Sequence, residues 1–235
     1  QGHAAFGFTS AGNTARANAA TVGRLVGDSN GTTQGAPVDY TATTFDYNPP
    51  SDPGGTGGRR WGDYSYTSLD PCDDMTMWTI QEFTNATNSY GVQAVKLLAP
   101  APTLSCASPT VLPQGNPGTV TVTGTGFYEP SAGIDACRVA LAATAAGTGV
   151  TVTSVTFNSP TSATLNVSVA PGATTGARGI TVTNPDGQTA TNTNCLTIAA
   201  GFAPEITALD RISTNPVCAT GNVSWRATFA TPIAG

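Results

Sequence analysis

The sequence predicts an all-β protein, and three observations lead there. Thr and Val alternate with period two in runs such as Thr119–Thr125, the spacing that turns one face of a strand inward and the other to solvent. Turn formers separate these runs: 27 Gly and 17 Pro occur in 235 residues, with Asn and Asp between them, each suited to tight reversals. The straight-chain helix builders Lys, Glu and Leu are scarce, and Lys96 is the only lysine,.

Residues 1–100 form the first expected unit. Strand patterns run over His3–Thr9, Thr21–Val26, Val38–Phe45, Trp61–Leu69, Met75–Phe83 and Gly91–Leu98. The intervening loops are richest in Gly and Pro at Asn48–Gly58. Trp61, Tyr64, Tyr66, Trp78 and Phe83 make the densest aromatic group. In a strand over 61–69, Trp61, Asp63 and Ser65 share one face, and Tyr64 and Tyr66 the other. Aromatics of this size are expected to fill the space between sheets, the alternative being a platform that stacks on a sugar ring.

Residues 101–200 form the second unit. An opening strand at Pro102–Pro109 precedes a turn at Gly115–Gly118 and the alternating run that ends at Phe127. Further strands are expected at Cys137–Ala142, Val150–Phe157, Ser162–Val169, Gly179–Thr183 and Thr189–Ile198. Seven short strands in about a hundred residues, with turn signals between them, imply an immunoglobulin-like β-sandwich. In residues 201–235 two more strands, Ile206–Ile212 and Asn222–Phe229, flank a loop containing Cys218. Two strands do not close a sandwich, so this unit reads as incomplete.

Two stretches carry a resemblance. Arg60-Trp61-Gly62-Asp63-Tyr64-Ser65, then Asp70-Pro71-Cys72-Asp73-Asp74, Met77-Trp78 and Gln81-Glu82-Phe83 resemble the closing blade of β-propeller-like domains in large secreted bacterial proteins. Phe6-Gly7-Phe8-Thr9 and Gly23-Arg24-Leu25 fit the blade before it, which implies further blades upstream of Gln1. The run from Val120 to Phe127, the turn Asn184-Pro185-Asp186-Gly187 and the closing Cys195-Leu196-Thr197-Ile198 resemble the IPT/TIG immunoglobulin-like domains of bacterial surface proteins. The last segment resembles the opening of a bacterial immunoglobulin-like repeat. The fold is therefore expected as a propeller-like blade segment, an immunoglobulin-like β-sandwich and a partial second sandwich.

The net charge of −5 with scattered arginines lacks the basic stripe of a nucleic-acid binder. No apolar run reaches the ~20 residues that cross a bilayer as a helix. The five cysteines, Cys72, Cys106, Cys137, Cys195 and Cys218, contain no CxxC pair, and the sole histidine is His3, which argues against a Cys/His zinc site. Widely spaced cysteines with little lysine suit a secreted or cell-surface setting. Cys106 and Cys195 fall on the first and last strands of the expected sandwich; such strands are neighbours in the resembled family, so a bridge is expected, with Cys137 a competing partner and Cys72 unassigned.

Asp63, Asp70, Asp73 and Asp74 are the candidate metal ligands. Calcium takes six to eight oxygens, often from loop carboxylates; the alternative is an Asx turn. Asp63 and Glu82 are the carboxylates considered for a glycosidase pair, but no substrate-positioning arginine cluster accompanies them, and these residues read as non-catalytic. His3 has no Ser/Asp partners for a triad. Gly54–Gly58 lacks the Lys-Ser/Thr of a phosphate loop. The Asn-x-Ser/Thr triplets at Asn30, Asn85, Asn166 and Asn222 read as turn or strand residues.

The expected role is a structural or adhesive module of a large extracellular bacterial protein, its sandwiches acting as spacers. Two alternatives stand beside it: a polymer-binding tail of a secreted hydrolase, and a filament subunit that assembles by strand addition. Expected partners are other domains of the same chain, further copies, or a carbohydrate polymer of the cell surface. No cofactor beyond candidate calcium is implied.

Overall fold

A computed structural model describes residues 2–50, 60–106, 109–131, 136–201, 206–211 and 225–229. Among them the chain is all-β, with no helix.

Strands β1 (Ala4–Ser10), β2 (Asn18–Arg24) and β3 (Val38–Asp39) make one antiparallel sheet in that order. Strands β4 (Tyr66–Leu69), β5 (Met77–Ala86) and β6 (Ser89–Leu97) make a second. The two sheets meet at Gly7, where a Cβ would overlap the Thr79 hydroxyl of β5; only glycine permits that approach. The shared interior is unusually polar. Beside fully buried Ala19 and Ala20 lie Thr76, Thr79, Gln81 and Thr84. The Gln81 amide donates to the Thr79 hydroxyl at 2.8 Å. Across the sheets, the Thr9 hydroxyl donates to the Glu82 carbonyl at 3.0 Å and the Thr84 N–H to the Ala17 carbonyl at 3.0 Å. Buried polar groups persist where they are paired in this way; of this set the Thr84 hydroxyl is buried without a partner.

This arrangement overturns the expected aromatic core. Tyr64, Tyr66 and Trp78 are 87%, 65% and 43% exposed, while Trp61 and Phe83 are half-buried. On β5 the apolar Trp78 and Ile80 alternate with Thr79 and Gln81, and the polar set faces inward. A shift of one residue in strand phase exchanges the two faces, and the narrow gap at Gly7 takes threonine, not tryptophan. The expected strand at Trp61–Leu69 begins only at Tyr66, and that at Val38–Phe45 is reduced to Val38–Asp39. Trp61, Asp63 and Ser65 therefore do not share a strand face.

The middle of the chain folds as a sandwich. Strands β7 (Thr103–Ser105), β8 (Thr110–Pro113), β9 (Gly118–Thr125), β10 (Ala142–Ala145), β11 (Val150–Ser159), β12 (Ser162–Val169), β13 (Gly176–Thr183) and β14 (Thr189–Ala199) form two four-stranded sheets. Their orders are β10-β13-β14-β8 and β11-β12-β9-β7. The pairs are antiparallel except β14 with β8, where Leu196 faces Thr110 and Ala199 faces Pro113 in parallel register. Val120 and Val122 of β9, Leu165 of β12, Ile180 and Val182 of β13 and Leu196 of β14 are fully buried. Thr119, Thr121 and Thr123 point outward, as their alternation requires. Gly124 closes the run because a Cβ there would overlap the Thr103 carbonyl oxygen and crowd the Phe127 ring.

Two sandwich elements differ from expectation. The segment expected as one strand over Pro102–Pro109 supplies β7 and then, beyond it, β8 on the opposite sheet. The strand expected at Cys137–Ala142 starts only at Ala142; Glu129 holds the preceding segment instead. Glu129 pairs with Arg138, and its other oxygen accepts the Leu141 N–H at 2.7 Å.

Strands β15 (Ile206–Arg211) and β16 (Trp225–Phe229) pair antiparallel. Cys218, Asn222 and the Gly54–Gly58 stretch lie outside the described residues.

Candidate functional site

Among the described residues the chemistry-bearing side chains gather in three places. The first is an open cleft of about 600 Å³ beside the outer face of β5. The irregular segment before β4 builds one wall. There Arg60 pairs with Asp63, and the Gly62 N–H donates to Glu82 Oε2 at 3.0 Å, pinning the segment to β5. Trp61 packs edge-to-face on Tyr47, with ring centroids 4.8 Å apart, a favoured aromatic geometry. The Trp61 indole N–H is buried with no hydrogen-bond partner. The β5–β6 hairpin builds the other wall. Asn88 there holds φ +60°, a conformation Asn tolerates better than most residues. Its Oδ1 accepts the Asn48 N–H at 2.8 Å, and its N–H donates to the Asp46 carbonyl at 2.9 Å, placing Tyr47 at the cleft. Tyr64 and Tyr90, 87% and 57% exposed, complete the lining.

The second place is the turn Asp70–Asp74, whose carboxylates face different donors. Asp70 accepts the Cys72 N–H at 2.9 Å and the Trp78 indole N–H at 3.0 Å. These bonds, the backbone one foremost, hold the Asp70 carboxyl below its usual range. Asp73 is buried and caps the turn: Oδ1 accepts from the N–H groups of Met75 and Thr76 at 2.8 and 2.7 Å. Its Oδ2 accepts from the Thr76 hydroxyl at 2.6 Å. Asp74 accepts from Tyr128, and Asp63 lies away at the cleft with Arg60. The structure thus does not gather Asp63, Asp70, Asp73 and Asp74. Among the described residues no three His, Cys, Asp or Glu side chains are grouped to hold a metal.

The third place is the junction between the first sheets and the sandwich. Cys72 bonds to Cys137, with Cα atoms 5.0 Å apart. The Val139 N–H donates to the Cys72 carbonyl at 2.8 Å. Gln188 Nε2 donates to the Ala99 carbonyl at 2.9 Å, and Lys96 reaches the Asp186 carbonyl at 3.4 Å. Burial first, then the Asp74 hydrogen bond and charge, push the Tyr128 phenol up to about 12.

No family model and no curated protein matches the chain. A solved structure of the titin Ig tandem domains A164-A165 aligns at 14% identity over 85% of this chain and all of its own, with a TM-score of 0.27.

Cys106 and Cys195 form the second disulfide, their Cα atoms 5.3 Å apart, one after β7 and one on β14. The Cys72–Cys137 bond escaped the sequence reading. Part of a signal for it existed: with Cys106 and Cys195 paired, any partner of Cys137 lies outside residues 101–200. His3 Nδ1 accepts the Val26 N–H at 3.1 Å; that places it at the β1–β2 end in a structural role.

Proposed function

We propose that the chain is a structural and adhesive module of a large extracellular protein, in which the sandwich is a spacer holding the first sheets in fixed orientation. The observation that carries this reading is the junction. One covalent bridge, Cys72–Cys137, and hydrogen bonds from Val139, Tyr128, Gln188 and Lys96 span it. A single linker near residue 100 would act as a hinge, whereas several separated links resist rotation about any axis. Two disulfides suit an oxidising compartment.

The same reading assigns residues 1–100 to a propeller-like unit, 101–200 to an IPT/TIG-like domain of bacterial type and 201–235 to the start of another immunoglobulin-like repeat. The resemblances in Arg60–Phe83, Val120–Phe127 and Asn184–Gly187 support that assignment.

Small-angle scattering on the full chain and on Cys72→Ser/Cys137→Ser tests the spacer role. The wild type is expected to scatter as one conformation and the variant to gain a larger maximum dimension. Identical profiles, with the variant still folded by circular dichroism, would remove the rigid-spacer reading.

A further inference from the structure

We propose that the cleft between Trp61 and the β5–β6 hairpin binds a neutral pyranose oligosaccharide. This deepens the adhesive part of the reading above and rests on it.

Two features of the cleft point to that chemistry. Its aromatic rings are presented, not packed away. Tyr64 and Tyr90 are more than half exposed, although an apolar ring left in water needs a reason when it recurs in one place,. The C–H face of a pyranose is apolar enough to stack on such rings, while its hydroxyls stay free for hydrogen bonds. Next, the cleft carries unspent polar capacity between those rings. Glu82 uses Oε2 on Gly62 and Asn88 uses Oδ1 on Asn48, which leaves Glu82 Oε1 as acceptor and Asn88 Nδ2 as donor. Few fixed polar groups among aromatic walls is the usual make-up of a small-ligand site. Both side chains are already oriented by their first hydrogen bond, so binding costs them little further ordering.

Charge selects within the saccharides. Arg60 is engaged by Asp63, and among the described residues no ion pair compensates Glu82. A uronate carboxylate would meet that charge unfavourably; a neutral hexose or N-acetylhexosamine would not. The volume of about 600 Å³ suits a few sugar units and falls within the range of small-molecule sites.

Titration of the full chain with cellohexaose, chitohexaose and hexagalacturonate, read by calorimetry and tryptophan fluorescence, tests the proposal. Saturable binding of a neutral hexamer is expected, with hexagalacturonate at least tenfold weaker. Tyr64→Ala and Tyr90→Ala are each expected to weaken binding at least tenfold. Tyr66→Ala, exposed but outside the cleft, is expected to leave it unchanged. No binding of either neutral hexamer, tighter binding of the uronate, or equal binding by the Tyr64 and Tyr90 variants would each overturn the proposal. Because Tyr64 is almost wholly solvent-exposed, its truncation leaves the fold intact. Fluorescence of the unmutated chain gives a reading that needs no variant. Scattering tests the spacer separately, so a chain that is rigid yet binds no saccharide defeats this inference alone.

Discussion

The hydroxyl of Tyr128, two residues past Gly126 at the end of β9, donates to the carboxylate of Asp74 in the turn before β5. One proton therefore helps hold two folded units together. The Tyr128 phenol is pushed up to about 12, against an ordinary tyrosine near 10 in the unfolded chain. A group whose folded pKa is raised stabilises below its unfolded pKa, and that contribution fades as pH rises toward the folded one. Thermal melts should thus lose stability between about pH 10 and 12 through this contact. Tyr128→Phe should melt lower at pH 8 and show a shallower alkaline decline than wild type. Parallel declines would show that Tyr128 does not couple the junction to pH.

The two disulfides should separate under reductant. Cys137 is exposed, whereas Cys195 is 1% exposed within the core, and thiol exchange needs access to sulfur. Mild dithiothreitol followed by thiol alkylation and peptide mapping should label Cys72 and Cys137 first. Loss of that bridge should cost about 4 kcal/mol in the chain-entropy account of its loop.

Gly124→Ala should destabilise the sandwich by about 1–3 kcal/mol, the usual range for forced overpacking. The new methyl meets a backbone carbonyl, that of Thr103, as well as the Phe127 ring, and a carbonyl in a ladder has little room to move. Urea unfolding measures it; an unchanged midpoint would show that β7 shifts freely.

Asp73→Ala strands the N–H groups of Met75 and Thr76 and the Thr76 hydroxyl. A loss of about 1–3 kcal/mol is expected for buried donors left unpaired. The Asp70 and Asp73 carboxylates already accept from protein donors, so melting with and without EDTA should coincide. A chelator-dependent drop would show that a bound cation stabilises the fold.

The sandwich was more legible than the sheets before it, for a physical reason. In β9 every apolar residue is Val and every alternate one Thr, so chemistry and strand phase agree. In β5 they disagree: the phase carrying Trp78 and Ile80 faces out and that carrying Thr79 and Gln81 faces in. Alternation reveals that two faces exist; the choice between them was made by Gly7, 72 residues away along the chain. The cleft was half legible. Its aromatics stood out by density, yet Tyr47, Asn88 and Tyr90 join it through the hairpin contact between Asn48 and Asn88, which no local pattern encodes. The acidic turn was legible as a turn, and its Asx capping by Asp73 follows from the short reach of an aspartate.

The bridges also overlap along the chain. Cys106 lies inside the loop closed by Cys72 and Cys137, and Cys137 lies inside the loop closed by Cys106 and Cys195. A pull applied to the ends of the protein would therefore pass from bond to bond and bypass most of the polypeptide between Cys72 and Cys195. Even with every hydrogen bond in that stretch broken, only about thirty residues, roughly 100 Å at full extension, could pay out between those two points. In a tether under flow or drag, such cross-linking sets a hard stop on stretch that no melting temperature would reveal.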